Sequence, residues 1–155
     1  MTDVEILDRA FAAIIARMVA TGQAPHYVEL AAELGLAPDA GREVVNDLFA
    51  AGIPGWVHPG TDYIASFPPF NNQPTQYRIT VDGEQQWFAQ CGFEALAVRW
   101  LFPGQTVRVD APCLDCGESM CVVMLVVEIL SVEPPMLVGY SSSAVGGEAA
   151  TRPFR

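Results

Sequence analysis

The chain has 155 residues, of which 51% are hydrophobic and 17% charged, with a formal charge of −10 at pH 7. This length and apolar content suit one good core or two small subdomains and exclude a disordered chain. The acidity argues against a surface for nucleic acid or anionic membrane, because phosphate binding needs clustered cations. All eight basic residues are arginine, so no lysine is available for a Schiff base or a phosphate-binding loop.

The longest strongly apolar run, Met120 to Leu130, is too short to span a bilayer and is interrupted by Glu128. The N-terminus, MTDVEILDRAF, is acidic where an export signal has a basic region, so the expected location is the cytoplasm. Four cysteines in that compartment are expected to be thiols, metal ligands or nucleophiles rather than disulfides.

Along the chain, Leu7, Phe11, Ile14, Ile15 and Met18 recur at helical spacing and predict a first helix over 4–20. Gly22 and Pro25 end it, and YVELAAELGLA predicts a short second helix closed at Gly35. Pro38 and Asp39 open a third helix that closes at Gly52. β-prone pieces at 56–58 and 63–66 flank Pro59 and Gly60 as a small hairpin. Three helices and a hairpin describe a winged-helix-like module over 1–66. Its third helix carries Arg42 against Asp39, Glu43 and Asp47, a charge balance that opposes DNA.

The Pro- and Asn-rich stretch at 67–76 reads as a linker. Beyond it, YRITVDGEQQWF predicts two strands about the tight turn Asp82-Gly83, and a helix is expected from about 89 to 102, stopped by Pro103 and Gly104. TVRVDAPC alternates as a strand, LDCGE turns, and SMCVVMLVVEILSVE reads as one long strand covered on both faces. The expected fold class is therefore α+β. The winged-helix-like three-helix module is followed over 77–140 by a small β-β-α-β-β sheet domain with one buried helix, and 141–155 is expected to be a flexible tail.

Within WFAQCGFEALAVRW, Cys91 and Glu94 stand three residues apart, a spacing that puts both on one helix face. A thiolate is a soft nucleophile or metal ligand, and a half-buried carboxyl beside it would hold a proton for donation. The alternative is that Cys91 is a small core residue and Glu94 is solvated. A second cluster, Cys113, Cys116 and Cys121, has C-x2-C-x4-C spacing and suggests an incomplete zinc shell. Cys121 opens an apolar strand and fits packing better than ligation. His26 and His58 read as surface or cap residues.

Residues 77–124, with Cys91 and Glu94 followed in order by Phe102, Pro103, Gly104, Thr106, Arg108, Val109 and Cys113, resemble the catalytic domain of organomercurial (alkylmercury) lyases. The preceding helical module is similar to that family's N-terminal domain. The resemblance implies cleavage of a carbon–mercury bond, with Cys91 and Glu94 as catalytic residues that capture the metal and manage the proton. It also implies that Cys113 is structural. Cys91, Cys113 and Cys116 are the candidate metal ligands. No cofactor is required, the partner is a small organometallic or thiol-reactive molecule, and no nucleic acid or membrane is expected. Glu94 stands where the family has an aspartate, and the family's second active-site cysteine, which lies far downstream, has no counterpart here, because no cysteine follows Cys121. These departures leave a second reading open, a non-catalytic protein that binds a soft metal or thiol-reactive ligand.

Overall fold

A computed structural model describes residues 2–139, which divide into two compact units between Gln73 and Pro74. Each is built on its own core. The tail expected over 141–155 lies outside the described residues.

The first unit begins with helix α1 (Val4–Thr21), capped by the Asp3 carboxylate and closed by Gly22 at φ 74°. Helix α2 (Tyr27–Leu34) is capped by His26, whose Nδ1 accepts the Val28 N–H at 3.3 Å while Glu29 Oε2 accepts the His26 N–H at 2.9 Å. The two bonds satisfy N–H groups that a helix start leaves without partners. Helix α3 (Pro38–Ala50) starts on proline, which has no amide hydrogen to lose there. Ala10, Ile14 and Met18 of α1, Leu30 and Ala31 of α2, and Val44, Val45 and Leu48 of α3 form the buried apolar faces. Helices α2 and α3 approach closely at Gly41, where a Cβ would lie 2.5 Å from the Tyr27 carbonyl oxygen.

After α3 come three short antiparallel strands: β1 (Trp56–Val57), β2 (Ile64–Phe67) and β3 (Phe70–Asn71). Phe67 and Phe70 are fully buried, and buried Asn72 donates to the Ile64 carbonyl at 2.6 Å and accepts the Ala24 N–H at 2.7 Å. The stretch expected as a linker from residue 67 is thus in part structured. Its prolines and asparagines mark a tight β2–β3 connection, and its two phenylalanines are core residues.

The second unit is a five-stranded antiparallel arrangement of β4 (Arg78–Val81), β5 (Glu84–Ala89), β6 (Val107–Pro112), β7 (Ser119–Met124) and β8 (Ile129–Glu133), in the order β5-β4-β6-β7-β8. Asp82 at φ 47° and Gly83 at φ 90° turn β4 into β5 as the Asp-Gly pair predicts. Cross-strand pairing sets Trp87, Ile79, Val109 and Val122 in one row and Val81, Val107 and Met124 in the next, which gives one buried face. Helix α4 (Gly92–Ala97) and a 3₁₀ turn (Val98–Leu101) connect β5 to β6. They pack on that face through Phe102, edge-on to Trp87 at 4.9 Å, and through Arg99, which donates to the Met124 sulfur at 3.7 Å.

Two expectations for this unit are corrected. The long strand at 119–133 is a hairpin, β7 and β8, closed by the Leu125 N–H donating to the Glu128 carbonyl at 2.9 Å. Its unbroken apolar run hid the turn, and Ile129 and Leu130 of β8 are more than half exposed. The connecting helix is neither as long nor as buried as expected, since Phe93 is 59% and Trp100 58% exposed and Ala89 still belongs to β5. The Ala89 N–H donates to the Tyr77 carbonyl at 3.0 Å and its own carbonyl accepts from the Thr75 hydroxyl at 2.7 Å, which extends the ladder two residues further than helical periodicity suggests.

No described helix is long and apolar enough to cross a membrane.

Candidate active site

Cys91 occupies the N-cap of α4, with extended backbone at φ −149° and ψ 172°, and Glu94 is the third residue of that helix. The expectation that both lie on one helix face is corrected in its geometry. They meet as cap and third residue, a pairing in which an acid side chain reaches back to the cap. The Glu94 carboxyl hydrogen-bonds with the thiol and backbone N–H of Cys91. The N–H groups of Glu94 and Phe93 approach the Cys91 sulfur without closing a full capping bond.

Both groups are half-buried, and burial dominates their chemistry. It pushes the Cys91 thiol above its ordinary range, and the nearby Glu94 carboxyl adds to the rise, while the N–H groups of Glu94 and Phe93 oppose it. Burial likewise pushes Glu94 above the usual carboxyl range, against the opposing effect of its hydrogen bonds to Cys91. Glu94 Oε2 is buried with no hydrogen-bond partner among the described residues. An uncompensated carboxyl oxygen in a half-buried place favours the neutral acid. The Glu94 carboxylate is thus a stronger proton acceptor than an exposed one, and the Cys91 thiol keeps its proton until its sulfur is taken.

Tyr77 flanks the pair. A Cβ on Gly92 would lie 3.5 Å from its ring and 3.6 Å from its hydroxyl, so glycine leaves room for that ring beside the residue after Cys91. Gln90, directly before Cys91, is 4% exposed. Sequence reasoning missed Tyr77 because its position depends on the β4–β5 pairing, which brings residue 77 opposite 89. The Asp82-Gly83 turn carried only part of the signal, because a bulge between Ile79 and Thr80 shifts the register by one residue, and the turn alone would set residue 77 opposite 88.

The remaining cysteines lie elsewhere in the unit. Cys113 and Cys116 sit in the turn between β6 and β7, and Cys121 lies on β7 opposite Asp110. Burial raises the Cys121 thiol, and Asp110 itself is held below the usual carboxylate range by the Arg108 guanidinium at 2.6 and 2.8 Å. The suggested zinc shell from Cys113, Cys116 and Cys121 is not assembled, since no three His, Cys, Asp or Glu side chains come together to hold a metal among the described residues. Strand pairing turns Cys121 towards Asp110 and leaves the turn with two thiols. His26 caps α2 as described, and His58 stacks on Tyr63 at 5.8 Å.

Fold and site together define an α+β protein with a half-buried thiol–acid pair at the end of an antiparallel sheet. The family model of alkylmercury lyase (MerB) matches residues 70–151, and the chain belongs to that family. Among solved structures it resembles the mercury-bound form of MerB2, with a TM-score of 0.64 over 84% of this chain at 20% sequence identity. That likeness is one of fold, and this chain spans 65% of the length of the MerB2 chain. No curated protein matches the sequence.

Proposed function

We propose that the protein cleaves a carbon–mercury bond of a small organomercurial, with Cys91 as the capturing thiol and Glu94 as the proton carrier. The observation that carries this reading is the Cys91–Glu94 pair, in which a soft nucleophile and a carboxyl with an unpartnered buried oxygen share one helix start. The Cys91 sulfur displaces the ligand opposite carbon on mercury, and its proton passes to Glu94. The carboxylic acid then protonates the mercury-bound carbon. The electron pair of the carbon–mercury bond forms the new C–H bond, the hydrocarbon leaves, and mercuric ion stays on sulfur until a small thiol removes it. The thiol's own proton suffices for the cycle.

The first unit fits a winged-helix-like description without a DNA role. The one arginine of α3, Arg42, donates to the Tyr27 hydroxyl at 2.8 Å, pairs with Asp62 at 3.1 Å and lies over the Tyr27 ring at 4.8 Å. A guanidinium so engaged is a poor phosphate ligand.

A second reading, capture of a soft metal without turnover, is favoured by the absence of a third metal-ligating side chain beside the pair among the described residues. Incubating the reduced protein with a simple alkylmercury salt and excess monothiol, then measuring headspace hydrocarbon, separates the two. Release that disappears in Cys91→Ser supports the lyase. Stoichiometric capture by Cys91 without release supports the binding protein.

A further inference from the structure

The turn after β6 carries a second pair of thiols that the proposed reaction does not use. Gly117, at φ 76°, donates its N–H to the Cys113 carbonyl at 2.9 Å, and the Cys113 N–H donates to the Glu118 carbonyl at 2.7 Å. These bonds close the turn so that the N–H groups of Cys116 and Asp115 and the Cys116 thiol all reach the Cys113 sulfur. Cys116 is exposed, Cys113 is half-buried, and both are free thiols. The turn is therefore open to an incoming ion.

Donor number decides which ion. Zinc takes four ligands in structural sites and three in catalytic ones, and no third side chain joins this pair among the described residues. A thiophilic cation that is content with two sulfurs matches it instead.

Register places the turn. Arg78 of β4 pairs with Phe88 of β5 on one side and with Asp110 of β6 on the other, so β5 and β6 run in the same direction and end at the same end of the sheet. Cys91 lies three residues past Phe88 and Cys113 three residues past Asp110. Two strand spacings, about 10 Å, separate β5 and β6, and Cys91 and Cys113 stand just past the ends of those strands.

We propose that Cys113 and Cys116 form a second soft-metal site, a dithiol for a two-coordinate thiophilic cation such as mercuric ion, standing beside Cys91 as the acceptor of the ion it releases. Binding exchanges two S–H protons for two S–metal bonds, with no electron transferred. The acceptor role rests on the lyase reading, whereas the dithiol itself does not.

The test uses mercuric chloride and the full reduced chain carrying Cys91→Ser, so it is blind to turnover. One equivalent of mercuric chloride is added with a millimolar excess of a monothiol, and the mercury that remains with protein after gel filtration is counted. Two thiols on one turn act at high effective concentration, so Cys91→Ser protein should retain about one ion per chain. Adding Cys116→Ser should weaken retention roughly a hundredfold. Cys116 is exposed, so the substitution should leave the fold intact, as circular dichroism would show. Adding Cys121→Ser instead should change nothing. Equal retention with and without Cys116, dependence on Cys121, or no retention at all would each overturn the proposal. Hydrocarbon release by the unsubstituted protein separately decides the lyase reading.

Discussion

Cys91 stands at the N-cap of the helix whose third residue is Glu94, and this relation makes the proposed proton carrier part of the structure that positions the proposed nucleophile. A thiol inside a helix would point along one face and leave its approach to the carboxyl to rotamer choice. At the cap the extended backbone of Cys91 and the first turn of α4 fix both groups. The same relation leaves Glu94 Oε2 without a hydrogen-bond partner among the described residues, an oxygen free to meet an incoming group.

Glu94→Gln keeps the shape and removes the transferable proton. Hydrocarbon release should fall by about two to four orders of magnitude, the usual worth of a positioned acid. Capture of mercuric ion by Cys91, followed by sulfur-to-mercury absorbance, should persist. Glu94→Asp restores the acid but draws the carboxyl back by one methylene, and a displacement of about 1 Å at the reacting atoms costs on the order of a hundredfold. Loss of capture in Glu94→Gln would instead make Glu94 a ligand or a structural group.

The same carboxyl makes stability pH-dependent. Its value in the folded chain lies above the ordinary 4.5 because of burial, so the folded state holds the proton more tightly than the unfolded one. The stabilisation is complete below that ordinary value and is lost as pH rises through the raised one. Urea midpoints of the unsubstituted protein should therefore decline across this window, and those of Glu94→Gln should lack that component. The proposed turnover should have a separate alkaline limb. Burial also raises Cys91, so activity should fall only as pH rises through that raised thiol value, where the pair gives up its last proton.

The local signals legible in the sequence were those backed by a specific backbone requirement. Gly22 and Gly35 end α1 and α2 in left-handed conformations, Pro38 opens α3, and Asp82-Gly83 turns β4 into β5. The Cys91–Glu94 pair was legible as a spacing, but its geometry was not, because a period of three fits a helix face and a helix cap equally well. The β7–β8 turn was hidden for a different reason. Leu125 to Leu130 carries only Glu128 as a polar residue, and no glycine or proline marks the reversal. Tyr77 and Thr75, which fix the end of β5, could be found only after register was known.

Gly41 tests the packing of the first unit. A Cβ there would stand 2.5 Å from the Tyr27 carbonyl oxygen and 2.6 Å from the Ala31 Cβ, and backbone cannot swing aside as a long side chain can. Gly41→Ala should destabilise the protein by about 1–3 kcal/mol even though alanine is the better helix former, because overpacking outweighs propensity. Chemical denaturation checks the sign, and a neutral or stabilising result would mean that α2 and α3 can separate at no cost.

Phe102 tests the seating of α4 on the sheet. It is 4% exposed and packs edge-on to Trp87 at 4.9 Å, so Phe102→Ala opens a cavity under the segment that carries the Cys91–Glu94 pair. The expected cost is about 3–5 kcal/mol, read from unfolding midpoints. Trp87 fluorescence should report the lost ring contact, and an unchanged midpoint would show that α4 is held by its strand connections alone.

Asp82 makes the second unit sensitive to acid. Its carboxylate accepts the Thr106 N–H at 2.9 Å and the Gln105 side-chain amide at 3.0 Å, and these bonds, the first above all, hold it below the ordinary 3.8. A depressed value means that the folded state releases the proton more readily. Its stabilisation is therefore present above the ordinary value and is lost as pH falls through the depressed one. Asp82→Asn tolerates the left-handed φ of 47° but lacks the charge. The variant should be less stable than the unsubstituted protein at neutral pH, and the gap between their urea midpoints should close as pH falls through the depressed value. A gap that stays constant with pH would assign the effect to turn geometry rather than to the carboxylate.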